Sequence, residues 1–426
     1  MIAISLGTIL GIISGLIPGV GNFVLILLVW PFLYYFSISE LLMMYVSMAS
    51  ISQYIGSIPA IVYGIPGESS SYPAVVESRN LTSIKQVSEA ISGSAFGSMV
   101  GGLLVVLLCL VFADQVENIK YLFSTKMLVI LLCTVLCLLI FTTNNAISIN
   151  ILLISFGLFL GFVGYNSYLD LQFFTFDIIN LWSGLPLPVV LICLFAVPQI
   201  FHHINISDKK QKPKIYRLFS LYIMNPLYLF FNTLLGFLGG LVPGLTTVFS
   251  SSFAYGVSTL FTKDPVKRIV SSETANNAGA FSMLLPLLIF GIPLIGSEAV
   301  LLFLMEQKGF NIVSFSFSDI MPKLAFTLLL VNIIGFLLAW PLSKHVYLFY
   351  SIDTKKLMVF LLVCLFAIVL YLGYVNYSIS YYLLCFCILS PIGFFLRDTN
   401  TLPLVFAFLI HDKLLNGLFR FYQLIM

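Results

Sequence analysis

A carboxylate and two carboxamides fall on one face of a single expected helix: Glu273, Asn276 and Asn277, within Ser271-Ser272-Glu273-Thr274-Ala275-Asn276-Asn277. Their i, i+3, i+4 spacing points them the same way. Oxygen-bearing side chains so placed can coordinate a cation or hydrogen-bond a carboxylate. An ionisable side chain beside a membrane segment is a functional candidate by default. The plainer alternative is the polar start of an interfacial helix, near Lys263, Lys267 and Arg268. We expect Glu273, Asn276 and Asn277 to handle a coupling ion, Na⁺ or H⁺.

A second set of candidates consists of paired backbone breaks. The pattern Gly-x3-Gly-x2-Pro-Gly occurs at Gly11, Gly15, Pro18 and Gly19, and again at Gly236, Gly240, Pro243 and Gly244. Pro59-x4-Gly64-Ile65-Pro66 is echoed by Pro286-x4-Gly291-Ile292-Pro293. Proline removes a backbone donor and clashes with the preceding turn, and glycine lets the chain bend sharply. Freed amides and carbonyls inside a bilayer need partners, which water, an ion or a substrate can supply. Helix N-termini at such points suit anions. The expected substrate-binding residues are therefore Pro18, Gly19, Gly21 and Asn22; Pro66, Gly67, Glu68 and Ser69; Pro243, Gly244 and Thr246; and Pro293, Gly296 and Ser297. Ser69 to Ser71 and Ser297 could cap such helix ends. Glu68 and Glu298 have a competing reading as ordinary first-turn acids, and glycines four apart also serve plain helix packing in lipid.

These residues must be held by membrane helices. The 426 residues are 60% hydrophobic and 9% charged, against about 25% charged in a soluble domain, and mean hydropathy is +1.07. Apolar stretches of roughly 20 residues or more fill most of the chain. Because they are continuously apolar rather than alternating, helices are expected and a barrel is not. The fold class is an all-α polytopic membrane protein with about 12 to 14 membrane segments, some re-entrant or broken. Residues 1–17 carry no basic lead-in and read as retained structure rather than a cleaved signal. Seven cysteines lie in apolar segments without zinc or disulfide spacing, and four histidines sit at segment ends without metal spacing. No phosphate loop, His-Glu-x2-His motif or Gly-x-Ser-x-Gly turn occurs, so ATP-driven or hydrolytic chemistry is not expected and no cofactor is called for. The net charge of +3 does not suggest nucleic acid.

The matching markers imply a duplication. The densest basic loop, Ser207 to Arg217, falls near mid-chain and reads as a cytoplasmic linker. The expected units are residues 1–206 and 218–426, joined by 207–217. Leu187-Pro188-Val189-Val190 and Leu402-Pro403-Leu404-Val405 form a third, slipped pair. Between the two Pro-Gly markers lie apolar segments at about 22–36, 41–66, 89–113, 127–145, 146–164, 186–201 and 222–243. An odd number of crossings predicts inverted repeats.

The ordered markers resemble the large membrane (permease) subunit, TctA-like, of the tripartite tricarboxylate transporter family. Gly11 to Gly21 is similar to that family's opening signature. Ser272-Glu273-Thr274-Ala275-Asn276-Asn277-Ala278 followed by Gly291-Ile292-Pro293 is similar to its central block. Phe174-Thr175-Phe176, Gly184 and Leu194-Phe195-Ala196-Val197-Pro198 are similar to its mid-chain block. Leu294 stands where the family has glycine. The resemblance implies a non-enzymatic secondary transporter, a symporter importing small carboxylates such as tricarboxylates or dicarboxylates. It implies a multi-pass place in a prokaryotic inner (plasma) membrane. It also implies a small membrane subunit and a periplasmic solute-binding protein as partners. A homodimer is a separate expectation, which the resemblance does not carry. It places Gly19, Gly67, Glu273, Asn276, Asn277 and Pro293 near the substrate path. The alternatives are a membrane enzyme of lipid-linked saccharide processing, for which the polar 67–88 loop is short of catalytic residues, and a non-transporting scaffold.

Overall fold

The computed structural model describes residues 1–17, 20–115, 118, 125–143, 145–166, 169–204, 222–241, 246–311, 315–349 and 353–423. The described residues are mostly helical. In order they form α1 (Ile2–Leu16), α2 (Asn22–Leu28), α3 (Trp30–Leu33), α4 (Ile38–Tyr63), α5 (Tyr72–Ser78) and α6 (Ile84–Val111). Next come α7 (Thr125–Thr142), α8 (Ile147–Phe162), the antiparallel strands β1 (Gly164–Asn166) and β2 (Leu171–Phe173), and α9 (Ile179–Trp182). A π-helical turn, Ile192–Ala196, joins α10 (Leu187–Leu191) to α11 (Val197–Ile204). The rest is α12 (Pro226–Leu241), α13 (Thr247–Phe261), α14 (Pro265–Ser282), α15 (Leu284–Phe290), α16 (Gly296–Glu306), α17 (Phe317–Phe349), α18 (Thr354–Val375), α19 (Ile379–Phe395) and α20 (Leu402–Gln423). The basic linker Ser207 to Arg217 lies outside the described residues.

Among the described residues, five helices are long and apolar enough to cross a membrane, and six shorter apolar helices accompany them. The shortness has local causes. α4 starts on a capping box in which Ser37 and Glu40 satisfy each other's backbone ends, and it stops at Gly64. Gly64 takes φ +66°, its N–H bonds the Ala60 carbonyl, and Ile65 N–H bonds the Pro59 carbonyl. α15 stops the same way: Gly291 has φ +64°, its N–H bonds Leu287, and Ile292 N–H bonds Pro286. Both ends use the left-handed glycine stop that satisfies orphan carbonyls. The proline-glycine echo seen in sequence is thus the same piece of backbone built twice. Pro18, Gly19, Pro243 and Gly244 lie outside the described residues. The helices before them end at Leu16 and Leu241, and the next begin at Asn22 and Thr247.

Packing is reciprocal. α1 lies along α4, and α12 lies along α14. α4 then packs on α17, and α14 on α6, so each marked region leans on the long helix that follows the other. α2 touches α16 while α13 touches α5. α7, α8 and α20 form one flank, and α11, α18 and α19 another. Close approach explains the Gly-x3-Gly spacing: a Cβ on Gly236 would overlap the Ala275 carbonyl of α14. Gly236→Ala should therefore cost about 1–3 kcal/mol through forced separation of the helices. Its melting temperature in detergent should fall by several degrees. Gly256→Ala, where a Cβ meets open space, should leave it unchanged or raise it; equal behaviour of the two variants would refute the close-packing account.

Candidate functional site

The first break, from Gly64 to Ser71, folds back against α1 and α4. Gly67 N–H reaches the Gly56 carbonyl at 3.3 Å, and a Cβ on Gly67 would overlap the Gly15 carbonyl. Only glycine fits there, so the Pro66-Gly67 turn is pinned to the end of α1. That pinning brings Asn22 into range of the same turn. Asn22 Nδ2 donates to Ser52 Oγ at 3.0 Å, and Ser52 Oγ lies 3.4 Å from Glu68 Oε2. Ser70 Oγ donates to Gln53 at 3.2 Å, and Ser251 Oγ of α13 donates to the Ser70 carbonyl at 2.7 Å. Gly21 and Ser69 are exposed and Asn22, Glu68 and Thr246 partly so. This side of the cluster is therefore an accessible lip. Ser69 to Ser71 form a single helical turn without a side-chain cap bond, so their expected capping role is not seen.

Behind the lip the polar groups are dry. Glu273 and Asn276 are fully buried on α14, and Ser71 is fully buried above them. Asn276 Nδ2 donates to Glu273 Oε2 at 3.2 Å. Glu273 Oε1, Asn276 Oδ1 and Ser71 Oγ have no hydrogen-bond partner within the described chain. Glu68 is near enough for its charge to oppose that of Glu273. Burying carboxylates without compensation is costly, so this arrangement calls for a positive charge or a proton.

Asn277 turns to a different network. Its Nδ2 donates to the Ser98 carbonyl at 2.7 Å and to Asn332 Oδ1 at 3.1 Å, and Tyr54 OH donates to the same Asn332 oxygen at 2.6 Å. Ser98 Oγ closes back on the Glu273 carbonyl at 3.2 Å. One residue of helical rotation separates Asn277 from Asn276 and directs it at α6 and α17. There it ties α4, α6, α14 and α17 together.

The second break is buried except at the half-buried Ile295, with Pro293, Gly296 and Ser297 all buried. Glu298 caps its own helix, with Oε2 accepting the Leu294 N–H at 2.7 Å, which is the first-turn-acid reading. Ser297 Oγ and Tyr45 OH are 3.1 Å apart, linking α16 to α4. Phe23 of α2 covers Gly296. Lys413 Nζ of α20 donates to the Gly291 carbonyl at 2.6 Å and lies 3.8 Å from Glu306. This break is a closed counterpart of the lip.

One strong feature was not singled out by sequence reasoning. Glu77 on α5 is buried, and its Oε1 accepts Arg268 Nη1 and Tyr255 OH, each at 2.9 Å; Oε2 accepts Asn80 Nδ2 at 2.8 Å. Arg268 Nε also donates to the Thr262 carbonyl at 2.9 Å. The pair staples the hairpin after the first break to the first turns of the helix that carries Glu273. Arg268 reads in sequence as an interface charge, and nothing in its spacing signals a partner far away in the chain. Tyr45, Ser52, Gln53, Tyr54 and Asn332 were missed for the same reason.

Comparison with known proteins bears on this arrangement. The sequence model of the tripartite tricarboxylate transporter TctA family matches residues 1–406. An uncharacterized 52.8 kDa protein in the TAR-I ttuC' 3' region of Agrobacterium vitis is 26% identical over 300 residues, covering 67% of this chain. The match spans 60% of that curated relative's length. No solved structure matches.

Proposed function

This chain belongs to the tripartite tricarboxylate transporter TctA family, and on that premise we propose that it is the permease subunit of a secondary transporter for small carboxylates. The family is one of transporters rather than enzymes, so the lipid-linked saccharide reading is set aside. The multi-pass helices agree with a membrane protein of that family.

The single observation that carries the reading is the junction itself. A turn built on Gly67 and Glu68 meets a fully buried Glu273–Asn276 pair, with an accessible lip on one side and a dry floor on the other. The substrate carboxylates sit at the lip, among Gly21, Asn22, Ser69 and Thr246, with Pro18, Gly19, Pro243 and Gly244 alongside in sequence. Glu68, on the same lip, is neutralised when the anion binds, since two like charges at close range disfavour each other. A cation or proton gradient supplies the driving force. Residues 1–206 and 218–426 act as two inverted units that rock about the junction. Support for this comes from the twin left-handed stops at Gly64 and Gly291 and the reciprocal helix contacts. A small membrane subunit and a periplasmic binding protein deliver the substrate across a prokaryotic inner membrane.

The test is carboxylate exchange. Protein reconstituted in proteoliposomes loaded with unlabelled citrate or succinate should accumulate the labelled compound from outside, and a Na⁺ or proton gradient should drive net uptake. Absence of exchange for every di- and tricarboxylate tried, with the partner subunits present, would reject the proposal. A gradient-independent, channel-like flux would reject coupling.

A further inference from the structure

Three unpaired oxygens sit on side chains that meet from separate parts of the chain. Glu273 Oε1 and Asn276 Oδ1 come from α14, and Ser71 Oγ comes from the turn after the first break. Each belongs to a side chain with no exposure, and none has a hydrogen-bond partner among the described residues. The Ser71 hydroxyl faces the Glu273 carboxylate without closing a hydrogen bond of ordinary length. Buried polar atoms in folded proteins are nearly always paired, so three orphans on neighbouring side chains require an explanation.

A proton on Glu273 removes the charge and adds one donor to that of the Ser71 hydroxyl, an alternative that the pH arm of the test below separates from a metal ion. A hard cation, by contrast, takes carboxylate, amide and hydroxyl oxygens together. The charge balance selects its valence. Glu273 is the one carboxylate among the three side chains and neutralises one positive charge; Glu68 stands outside them on the partly exposed lip, and the basic residue nearest in sequence, Arg268, is committed to Glu77 at 2.9 Å. A divalent ion would leave an uncompensated charge in the dry interior, at high cost.

We propose that Glu273, Asn276 and Ser71 form a binding site for a desolvated monovalent cation of Na⁺ size. Two ligands come from the C-terminal part of the chain and one from the N-terminal part, so the bound ion fastens the first break to α14. Asn277 is not a ligand; its amide holds α6 and α17 in place behind the site. The lip then receives substrate against a floor that the ion has both neutralised and ordered. The inference deepens the transport reading, but the site exists or fails independently of it.

Sodium binding without any carboxylate is the test. Purified full-length protein in detergent is titrated with NaCl against choline chloride at constant ionic strength, following melting temperature and equilibrium ²²Na⁺ binding. Saturable, Na⁺-specific stabilisation is expected, absent with choline and weaker with K⁺. Ser71→Ala should weaken Na⁺ binding by about 10-fold, about 1.4 kcal/mol, while its melting temperature in choline stays at the parent value. Ser71→Thr, which keeps the hydroxyl, should restore binding. No Na⁺-specific effect in the parent protein, an unchanged affinity in Ser71→Ala, or stabilisation that follows pH or Ca²⁺ instead of Na⁺ would each overturn the assignment. Sodium binding in a protein that exchanges no carboxylate would leave the cation site standing and reject the transport reading alone.

Discussion

Glu273→Gln should reduce carboxylate uptake by about 100-fold or more, roughly 3 kcal/mol at 1.4 kcal/mol per factor of ten, while the protein still folds. The substitution keeps the shape and leaves Asn276 a neighbour to bond, but removes the charge. Glu273 has no exposure, so no water can stand in for the lost carboxylate. A neutral side chain there favours the empty floor and leaves the cation uncompensated. Uptake in proteoliposomes reads the effect, and size-exclusion profile with melting temperature reads the fold. Uptake at the parent rate in a folded Glu273→Gln protein would remove this residue from the mechanism.

The largest expected effect on stability is at Glu77. Breaking a buried pair from one side leaves the other charge stranded, typically at a cost of about 3–5 kcal/mol. Glu77→Gln should therefore melt well below the parent, and Arg268→Gln should do the same. A double variant should cost less than the sum of the two, because neither charge is then left alone. The pair also sets a pH dependence. Burial pushes the Glu77 carboxyl up, but bonds from Asn80, Arg268 and Tyr255 outweigh it and hold the group below its ordinary value. A group depressed in the folded state contributes stability that is present above its unfolded value, about 4.3, and is lost as pH falls through the folded one. The parent should lose stability on acidification below about pH 4.3, and Glu77→Gln should lose less over that range. Melting temperatures of the two, taken from pH 6 down to pH 3, check it; parallel curves would mean that Glu77 carries no such linkage.

The features legible in the chain were those with local causes. Apolar runs of spanning length, with hardly a charge among them, leave helices in a bilayer as the solution. Pro59-to-Pro66 and Pro286-to-Pro293 were readable as matched interruptions because proline and glycine act on their own backbone. Helical spacing of three put Glu273 and Asn276 together, and the structure keeps that pair. The same rule, extended to the spacing of four, also grouped Asn277 with them. There it gave way to the neighbours: α6 and α17 approach so closely that Asn277 bonds Ser98 and Asn332 instead.

What residues could do alone, the sequence determined: membrane residence, helical segments, the places where they must break, and the types of side chain stored there. Which of those side chains meet was decided only by the fold. Ser71 comes to face Glu273, Glu77 to hold Arg268, and Tyr45 to reach Ser297, across separations of about 190 to 250 residues. The physical reason is range. Backbone preference and helical periodicity act over a few residues, whereas a buried charge or an orphaned oxygen is satisfied by whatever packing brings within about 3 Å.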